Sequence, residues 1–267
     1  MKESFSEKHL TLSNGVVGIL NAPNHSQKKF PIVLMLHGFA SDKNEVGNLF
    51  ELLSNKLAEK NIASLRIDFF GWGESKGDSF NSSINTHLED VSISYNYILE
   101  LDNIDKNNIA LLGFSLGGGI SLIFASENNE KIKTLALWSS VYDFKNNFLE
   151  SLGKDIFDKA KTEKIIEVDL GWKKVLLGQE FFKSLSNFDL YNCLKEYNNS
   201  ILSIDGTNDP QFYNKAKFNK LLDLKKNKLI FIEGADHIFN VLENSDLYTN
   251  ILLNDTIIWF ENNLKGV

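Results

Sequence analysis

The chain has 267 residues, enough for one large domain with a sizeable buried core. Its 28 basic and 35 acidic side chains give a net charge of −7, which argues against a nucleic-acid partner because phosphate binding needs a basic face. The single cysteine, Cys193, excludes an internal disulfide, and we interpret it as a small buried apolar residue rather than a nucleophile. The first residues do not resemble a signal peptide, and no apolar stretch is long enough to span a bilayer, so we expect a cytoplasmic protein without a membrane span.

The hydrophobic pattern predicts strands that alternate with helices. Residues 10–20 predict two short strands around Asn14-Gly15, a dipeptide that accepts the positive φ of a tight turn. A polar loop follows at 23–31, and beyond it continuous apolar runs alternate with segments of helical spacing. In chain order these predict a strand at 32–36, a helix at 46–60, a strand at 62–69, a helix at 88–101, a strand at 109–114, a helix at 116–125, strands at 132–138 and 201–204, a helix at 212–222, a strand at 229–232 and a helix at 247–264.

These strands predict the fold class. They are apolar without alternation, so they are buried on both faces, which is typical of a parallel sheet covered by helices. Strands that alternate with helices in this way connect by right-handed crossovers. We therefore expect an α/β fold with a mostly parallel, doubly wound sheet flanked by helices.

One segment interrupts the alternation. Residues 142–189 show a helical, polar and aromatic pattern with no core strand, and an unstructured loop of that length is uncommon in a compact domain. We expect a small helical cap insertion at 142–189, with the α/β core formed by residues 1–141 and 190–267. Its aromatic side chains could line a pocket, although most are expected to form the cap's own core: Phe144, Phe148, Phe157, Trp172, Phe181 and Phe182.

The strongest local motif surrounds Ser115. Gly113-Phe114-Ser115-Leu116-Gly117 is a G-x-S-x-G pattern at the point where an apolar strand meets a helix rich in small residues. A nucleophile elbow needs this arrangement, because the sharp turn excludes side chains two positions away on either side of the serine. A phosphate-binding loop would follow the first strand and carry a lysine or a G-x-G-x-x-G spacing, and neither is present. The pattern therefore predicts Ser115 as a nucleophile.

A serine nucleophile needs a base and an orienting carboxylate. Of the five histidines only His237 follows Ser115, as the chain order serine, acid, histidine of this fold requires. Two carboxylates follow the preceding predicted strand, and we favour Asp209, which lies past the turn, over Asp205, which we expect to cap the turn. Asp236 adjoins the histidine, and neighbours on a loop rarely align for this hydrogen bond.

Two backbone N–H groups are predicted to stabilise an oxyanion. One belongs to Leu116, directly after the nucleophile, and the other to Phe39, in the loop after the first core strand. Gly38 lets that loop approach closely. His37 precedes Ser115 in the chain, so we interpret it as a brace for the loop rather than as a base.

The glycine-rich segment after Asp68 is interpreted as a structural support for the same loop. Asp68 with Gly71 to Ser75 lacks the number of ligands that a metal needs and the spacing of a dinucleotide site. We expect neither a metal nor an organic cofactor.

Together these residues resemble a known family. The chain is similar over nearly its whole length to serine esterases of the α/β-hydrolase superfamily, through the motifs His37-Gly38-Phe39, Asp68 with Gly71-x-Gly73-x-Ser75, Gly113-x-Ser115-x-Gly117, Gly206-x-x-Asp209-Pro210 and Asp236-His237. The segment at 142–189 is similar to the cap of bacterial cinnamoyl/feruloyl esterases. One departure is Gln211-Phe212 after the acid, where the family often has a Val-Pro pair.

The resemblance implies an α/β-hydrolase fold and ester hydrolysis through an acyl-enzyme. It implies Ser115, His237 and Asp209 as the triad, the Phe39 and Leu116 N–H groups as the oxyanion hole, and no cofactor. The expected partner is a small or medium carboxylic ester, and the sequence is compatible with a monomer or a homodimer.

Other functions remain open at this point. The same triad serves thioesterases, monoacylglycerol lipases and aminoacyl peptidases. A peptidase that holds a free amino terminus needs carboxylates near the pocket, and Asp143 or the region 163–167 could supply them, although solvated surface charge is the simpler account. A non-catalytic ligand-binding member of the fold is a further alternative, against which the complete triad counts.

Overall fold

The computed structural model describes residues 5–24, 29–222, 226–243 and 246–264. The first four residues, used above to argue against a signal peptide, and residues 25–28 of the predicted polar loop lie outside this description.

The centre of the molecule is a large β-sheet. In chain order the strands are β1 (Phe5–Thr11), β2 (Val17–Pro23), β3 (Phe30–Leu36), β4 (Ala63–Ile67), β5 (Ile104–Phe114), β6 (Thr134–Trp138), β7 (Ile165–Asp169), β8 (Lys174–Gly178), β9 (Ser200–Gly206) and β10 (Lys228–Ile232). Within the described residues, eight of them form one sheet in the order β1-β2-β4-β3-β5-β6-β9-β10. β1 and β2 run antiparallel to their neighbours. The remaining six strands of this sheet, in the order β4-β3-β5-β6-β9-β10, pair in parallel. The predicted mostly parallel sheet is confirmed.

Helices cover both faces of this sheet. They are α1 (Leu49–Glu59), α2 (Ile84–Glu100), α3 (Leu116–Glu127), α4 (Phe144–Leu152), α5 (Lys154–Lys159), α6 (Gln179–Ser184), α7 (Leu190–Glu196), α8 (Ala216–Asn219) and α9 (Leu247–Leu264). Side chains of β3 alternate between two cores: Leu34 belongs to the core that includes α2 and α3, and Met35 to the core that includes α1 and α9. The sheet is therefore doubly wound. None of the helices in the described ranges has both the length and the hydropathy that crossing a membrane requires.

The segment predicted as a cap contains more than helices. Besides α4, α5 and α6 it holds a two-stranded antiparallel sheet, β7 paired with β8, separate from the main sheet. Ile166, Val168, Val175 and Leu177 are buried, while the residues between them on β7 and β8 are exposed. The insertion contains the helices α4, α5 and α6, and the hairpin adds two short strands that the sequence pattern does not predict. The boundaries at 142 and 189 stay a prediction.

A second difference concerns the predicted helix at 212–222. Only α8, at Ala216–Asn219, is α-helical there. The chain reaches it through successive turns, in which Phe212 N–H donates to the Asp209 carbonyl and Lys215 N–H to the Gln211 carbonyl. The apolar residues that suggested one longer helix are therefore distributed over turns.

The central strand β3 should dominate stability. Leu34 is fully buried between neighbouring strands and helices, so Leu34→Ala should lower the free energy of unfolding by about 2–5 kcal/mol, the usual cost of such a truncation. Leu52→Ala on α1 is the matched control, because that side chain is 44% exposed. Urea denaturation measures both variants. Equal losses at the two positions would contradict this account of the core.

Candidate active site

Ser115 occupies a strained turn between β5 and α3. Its backbone has φ 51° and ψ −113°, a conformation that residues other than glycine rarely adopt. The turn is fixed by hydrogen bonds on both sides of the residue: Ser115 N–H donates to the Trp138 carbonyl at 2.9 Å, and the Ser115 carbonyl accepts from Gly118 and Val141. The structure thus holds the side chain in one direction, at the carboxyl end of the central strand.

Two glycines make this turn possible. A Cβ at Gly117 would lie 2.0 Å from the Leu36 carbonyl oxygen, and a Cβ at Gly113 would lie 2.2 Å from the Gly117 carbonyl oxygen. Both contacts are far below van der Waals distance and involve backbone atoms. Any side chain at either position would push apart the elements that converge at Ser115.

The predicted nucleophile, base and acid lie within hydrogen-bonding distance. His237 Nε2 is 3.1 Å from Ser115 Oγ, and His237 Nδ1 is 2.6 Å from Asp209 Oδ2. An ionised carboxylate only accepts, so the proton lies on Nδ1 and leaves Nε2 free to accept from the serine hydroxyl. Burial alone would raise the pKa of Asp209, but the hydrogen bond and charge of His237 outweigh it and hold that pKa below its ordinary value.

The other two candidate carboxylates are engaged elsewhere. Asp205 Oδ1 pairs with Lys215 Nζ at 2.6 Å, and both side chains are only 4% exposed. The Asp205 carboxylate is therefore held in a buried ion pair, and the capping of the turn by the Asp205 backbone stays a prediction. Asp236 Oδ1 accepts the backbone N–H groups of Ile238 and Asn240, and so caps the turn that carries His237.

The predicted oxyanion donors border the same site. Hydrogen bonds among the described residues leave the backbone N–H groups of Phe39 and Leu116 without an acceptor. Gly38 N–H donates to Glu45 Oε2 at 2.6 Å, which fixes the start of the Phe39 loop. Sequence analysis did not identify Glu45, because its hydrogen bond with Gly38 belongs to no sequence motif.

Asp68 and Lys43 form contacts that hold the loop containing Phe39. Asp68 Oδ1 accepts the Lys43 N–H at 2.6 Å, while Asp68 Oδ2 accepts the Lys43 ammonium at 2.9 Å and the Glu74 N–H at 2.8 Å. A Cβ at Gly73 would collide with the Asp68 carboxylate, so the glycine admits this contact. The contacts agree with the structural role predicted for the segment.

His37 adds a further brace. Its Nε2 accepts the Phe69 N–H at 3.1 Å, so the proton lies on Nδ1, which donates to the Gly38 carbonyl at 2.7 Å. Burial lowers the pKa of His37, against the opposing influence of Glu45, and favours the neutral ring. Both ring nitrogens are used in holding the loop, as the interpretation of His37 requires.

A cleft of about 1550 Å³ opens above Ser115. Loops of the core form one wall, and α4, α5 and the β7–β8 hairpin form the other. Of the predicted aromatic residues, Phe148 and Trp172 line the cleft, whereas Phe144 and Phe181 are fully buried. The cleft is therefore enclosed by the segment that the sequence predicts as a cap.

Cys193 lies away from this cleft. Its side chain packs against the core, and burial raises the pKa of its thiol. Both observations agree with a structural residue, since a reactive cysteine needs an accessible thiolate.

Residues 31–258 match the family described as alpha/beta hydrolase fold. The chain belongs to this family. A 31.7 kDa protein in the traX-finO intergenic region of Escherichia coli is 26% identical over 181 residues, which are 63% of this chain and 61% of that relative. The chain thus matches less than two thirds of the relative's length.

Solved structures share the fold across almost the entire chain. Est1E from Butyrivibrio proteoclasticus, with ferulic acid bound, aligns with a TM-score of 0.81 at 19% identity over 96% of this chain and 98% of its own. Alpha/beta hydrolase domain-containing protein 10 from mouse aligns with a TM-score of 0.72 at 16% identity over 96% and 99%. The likeness to these structures shows the fold.

The buried carboxyl group of Asp90 leads to a prediction about how stability depends on pH. Asp90 Oδ2 accepts the Phe70 N–H at 2.7 Å, and its Oδ1 has no partner among the described residues. Burial raises the pKa of Asp90 from 3.8 to about 7, so the native state holds a proton that the unfolded state releases. The stability contributed by this protonated acid is complete below the unfolded pKa and is lost as pH rises through the folded pKa.

Asp90→Asn should remove this pH-dependent loss of stability, because the amide does not titrate. The free energy of unfolding of the variant minus that of the wild type should increase from about pH 4 to about pH 7 and level off above that. Urea denaturation at several pH values measures the difference, with the exposed Asp102→Asn as control. A difference that does not depend on pH would contradict the assigned titration.

Proposed function

We propose that the protein is a serine carboxylesterase that hydrolyses a small or medium carboxylic ester through an acyl-enzyme. The observation that carries the proposal is the continuous chain of contacts from Ser115 Oγ through His237 to Asp209, at 3.1 and 2.6 Å. A serine with this pair of partners has a base for its proton and a carboxylate that orients the base.

In acylation, Ser115 Oγ attacks the ester carbonyl carbon while His237 Nε2 takes the hydroxyl proton. The carbonyl oxygen becomes an oxyanion, which the N–H groups of Phe39 and Leu116 stabilise. The tetrahedral intermediate then collapses, the bond to the alcohol breaks, and His237 returns the proton to the departing alkoxide.

In deacylation, water takes the place of the alcohol, and the steps of acylation run in reverse. His237 takes a proton from water as the water oxygen attacks the acyl carbon. The tetrahedral intermediate then collapses, the bond to Ser115 Oγ breaks, and His237 returns the proton to Oγ as the acid leaves. Asp209 stays ionised throughout and stabilises the imidazolium that forms twice in each cycle. All proton transfers use the chain's own groups, so the proposed cycle requires no metal or organic cofactor.

The cleft supports a substrate of modest size with an apolar part. Its volume is about 1550 Å³, and Phe39, Phe148 and Trp172 supply aromatic surface next to the polar reacting end. Est1E, which shares the fold, has ferulic acid bound, and this favours aromatic acids among the acyl groups to be tested.

The contacts of the cap carboxylates do not favour an aminopeptidase. Asp143 accepts the Asn146 N–H and caps α4, and Glu167 pairs with Lys174 at 2.8 Å on the surface. Asp143 is therefore used in capping a helix, while Glu167 lines the cleft with its charge paired to Lys174.

Ester turnover should depend on Ser115. A panel of p-nitrophenyl esters of increasing acyl length, with a matched thioester and amide, measures the preference for the leaving group. Ser115→Ala should lower kcat by more than about 10⁴-fold, because the covalent route is lost while oxyanion stabilisation remains. Ser92→Ala, on an exposed turn of α2, should leave kcat unchanged. Full activity in Ser115→Ala, or faster thioester than ester turnover, would contradict the proposal.

The acid assignment has its own test. Asp209→Asn should lower kcat by about 10⁴-fold with little change in KM, because the imidazole loses the partner that sets its proton on Nδ1. Asp236→Asn is the comparison, since Asp236 neighbours His237 in the chain but contacts only backbone N–H groups. A larger loss of kcat in Asp236→Asn than in Asp209→Asn would show that the acid is wrongly assigned.

A further inference from the structure

The turn of the β7–β8 hairpin reaches the loop that carries Phe39. Leu170 N–H donates to the Lys173 carbonyl, which closes the hairpin turn. From this turn Lys173 Nζ donates to the Ala40 carbonyl oxygen at 2.6 Å, across 133 positions of sequence. The contact is made to the residue directly after the proposed oxyanion donor.

That part of the Phe39 loop is a strained tight turn. Ser41 N–H donates to the Gly38 carbonyl at 3.3 Å, so Phe39 and Ala40 are its two central residues. Ala40 has φ 60°, a conformation that a turn of this kind normally gives to glycine. Strained positions persist only when surrounding contacts hold them. The Phe39 N–H belongs to the first peptide unit of this turn, so its direction depends on how the turn as a whole is held.

Contacts hold this turn at both ends. Glu45 accepts the Gly38 N–H at its start, and Lys173 donates to the Ala40 carbonyl at its end. The first contact comes from the α/β core. The second comes from the segment predicted as a cap, so the geometry of the turn depends on both parts of the molecule.

Two indole rings position the Lys173 ammonium. Nζ lies 5.4 Å from the Trp72 ring and 5.2 Å from the Trp172 ring, within the range of cation–π attraction. Trp72 also makes an edge contact with the Phe39 ring, with centroids 5.5 Å apart. Partial burial lowers the pKa of Lys173, and the negative charge of Asp42 opposes this shift.

We propose that Lys173 is a positioning residue through which the β7–β8 hairpin holds the Phe39 N–H in the direction that the oxyanion requires. The inference rests on the proposed esterase function. Lys173 acts through the Ala40 carbonyl and the Phe39–Ala40 turn, and so its contribution appears when negative charge develops on the carbonyl oxygen rather than when substrate binds.

Lys173→Met tests this with a side chain of similar length that cannot donate. Loss of one oxyanion donor costs about 10²–10³ in kcat, so a donor that is misdirected rather than removed should cost about tenfold or more, with KM within about threefold. Lys173→Arg retains charge and donors and should recover most of the lost kcat. Lys174→Met is the matched control, because the neighbouring Lys174 pairs with Glu167 on the surface and should leave kcat unchanged.

A transition-state analogue separates positioning from a general structural effect. A trifluoromethyl ketone that adds to Ser115 places its oxyanion in the hole, so Lys173→Met should weaken its inhibition by the same factor that it lowers kcat. The urea midpoint of the variant should equal that of the wild type. An unchanged kcat in Lys173→Met, a loss confined to KM, or undiminished inhibition would overturn the inference.

The same experiment distinguishes failure of this inference from failure of the proposed function. Active wild type, inactive Ser115→Ala and fully active Lys173→Met would overturn the role of Lys173 alone. A wild type that turns over no ester and does not bind the trifluoromethyl ketone would overturn both.

Discussion

The sharp turn from β5 into α3 is the constraint on which the rest of the site depends. It exists because positions 113 and 117 have no side chains, with a Cβ at Gly117 excluded by the Leu36 carbonyl. The turn places Ser115 at the carboxyl end of a central strand, next to the same ends of β3, β6 and β9 in a parallel sheet. In open α/β sheets ligands bind at this edge, since the loops that follow neighbouring strands converge there. Phe39, Asp209 and His237 lie in the loops after β3, β9 and β10, and Leu116 directly follows Ser115 as the first residue of α3.

The meeting of these loops at one edge of the sheet does not by itself fix their conformations. Two buried ion pairs hold them in place. Lys43 with Asp68 holds the segment after β3, and Lys215 with Asp205 closes the segment that carries Asp209. Buried ion pairs stabilise a fold weakly, because desolvation of both charges offsets their attraction. Breaking one is costly, however, so such pairs restrict the positions that a loop can take. We interpret both pairs as devices that keep the donors and the acid in place before substrate arrives, which is what electrostatic stabilisation of a transition state needs.

The features that sequence could predict are those encoded locally or by chain order. The apolar strands that form the main sheet, the turn at Ser115, and His237 as the single histidine after it depend on short patterns. The β7–β8 hairpin is not evident in the sequence because Ile165 and Leu176 are apolar although exposed, which hides the alternation of its short strands. The apolar residues before α8 lie in turns although their spacing suggests a helix. The contact of Lys173 with Ala40 joins residues 133 positions apart, and no local motif predicts it.

The central claim is that Ser115 is a nucleophile activated by His237 and Asp209, and a fluorophosphonate probe tests it most directly. The probe phosphonylates a serine only when a base has activated it. Intact-mass measurement followed by peptide mapping should show one adduct per chain, on the peptide that contains Ser115, and should show far slower labelling of Asp209→Asn. An unmodified chain, or an adduct on a different residue, would contradict the account.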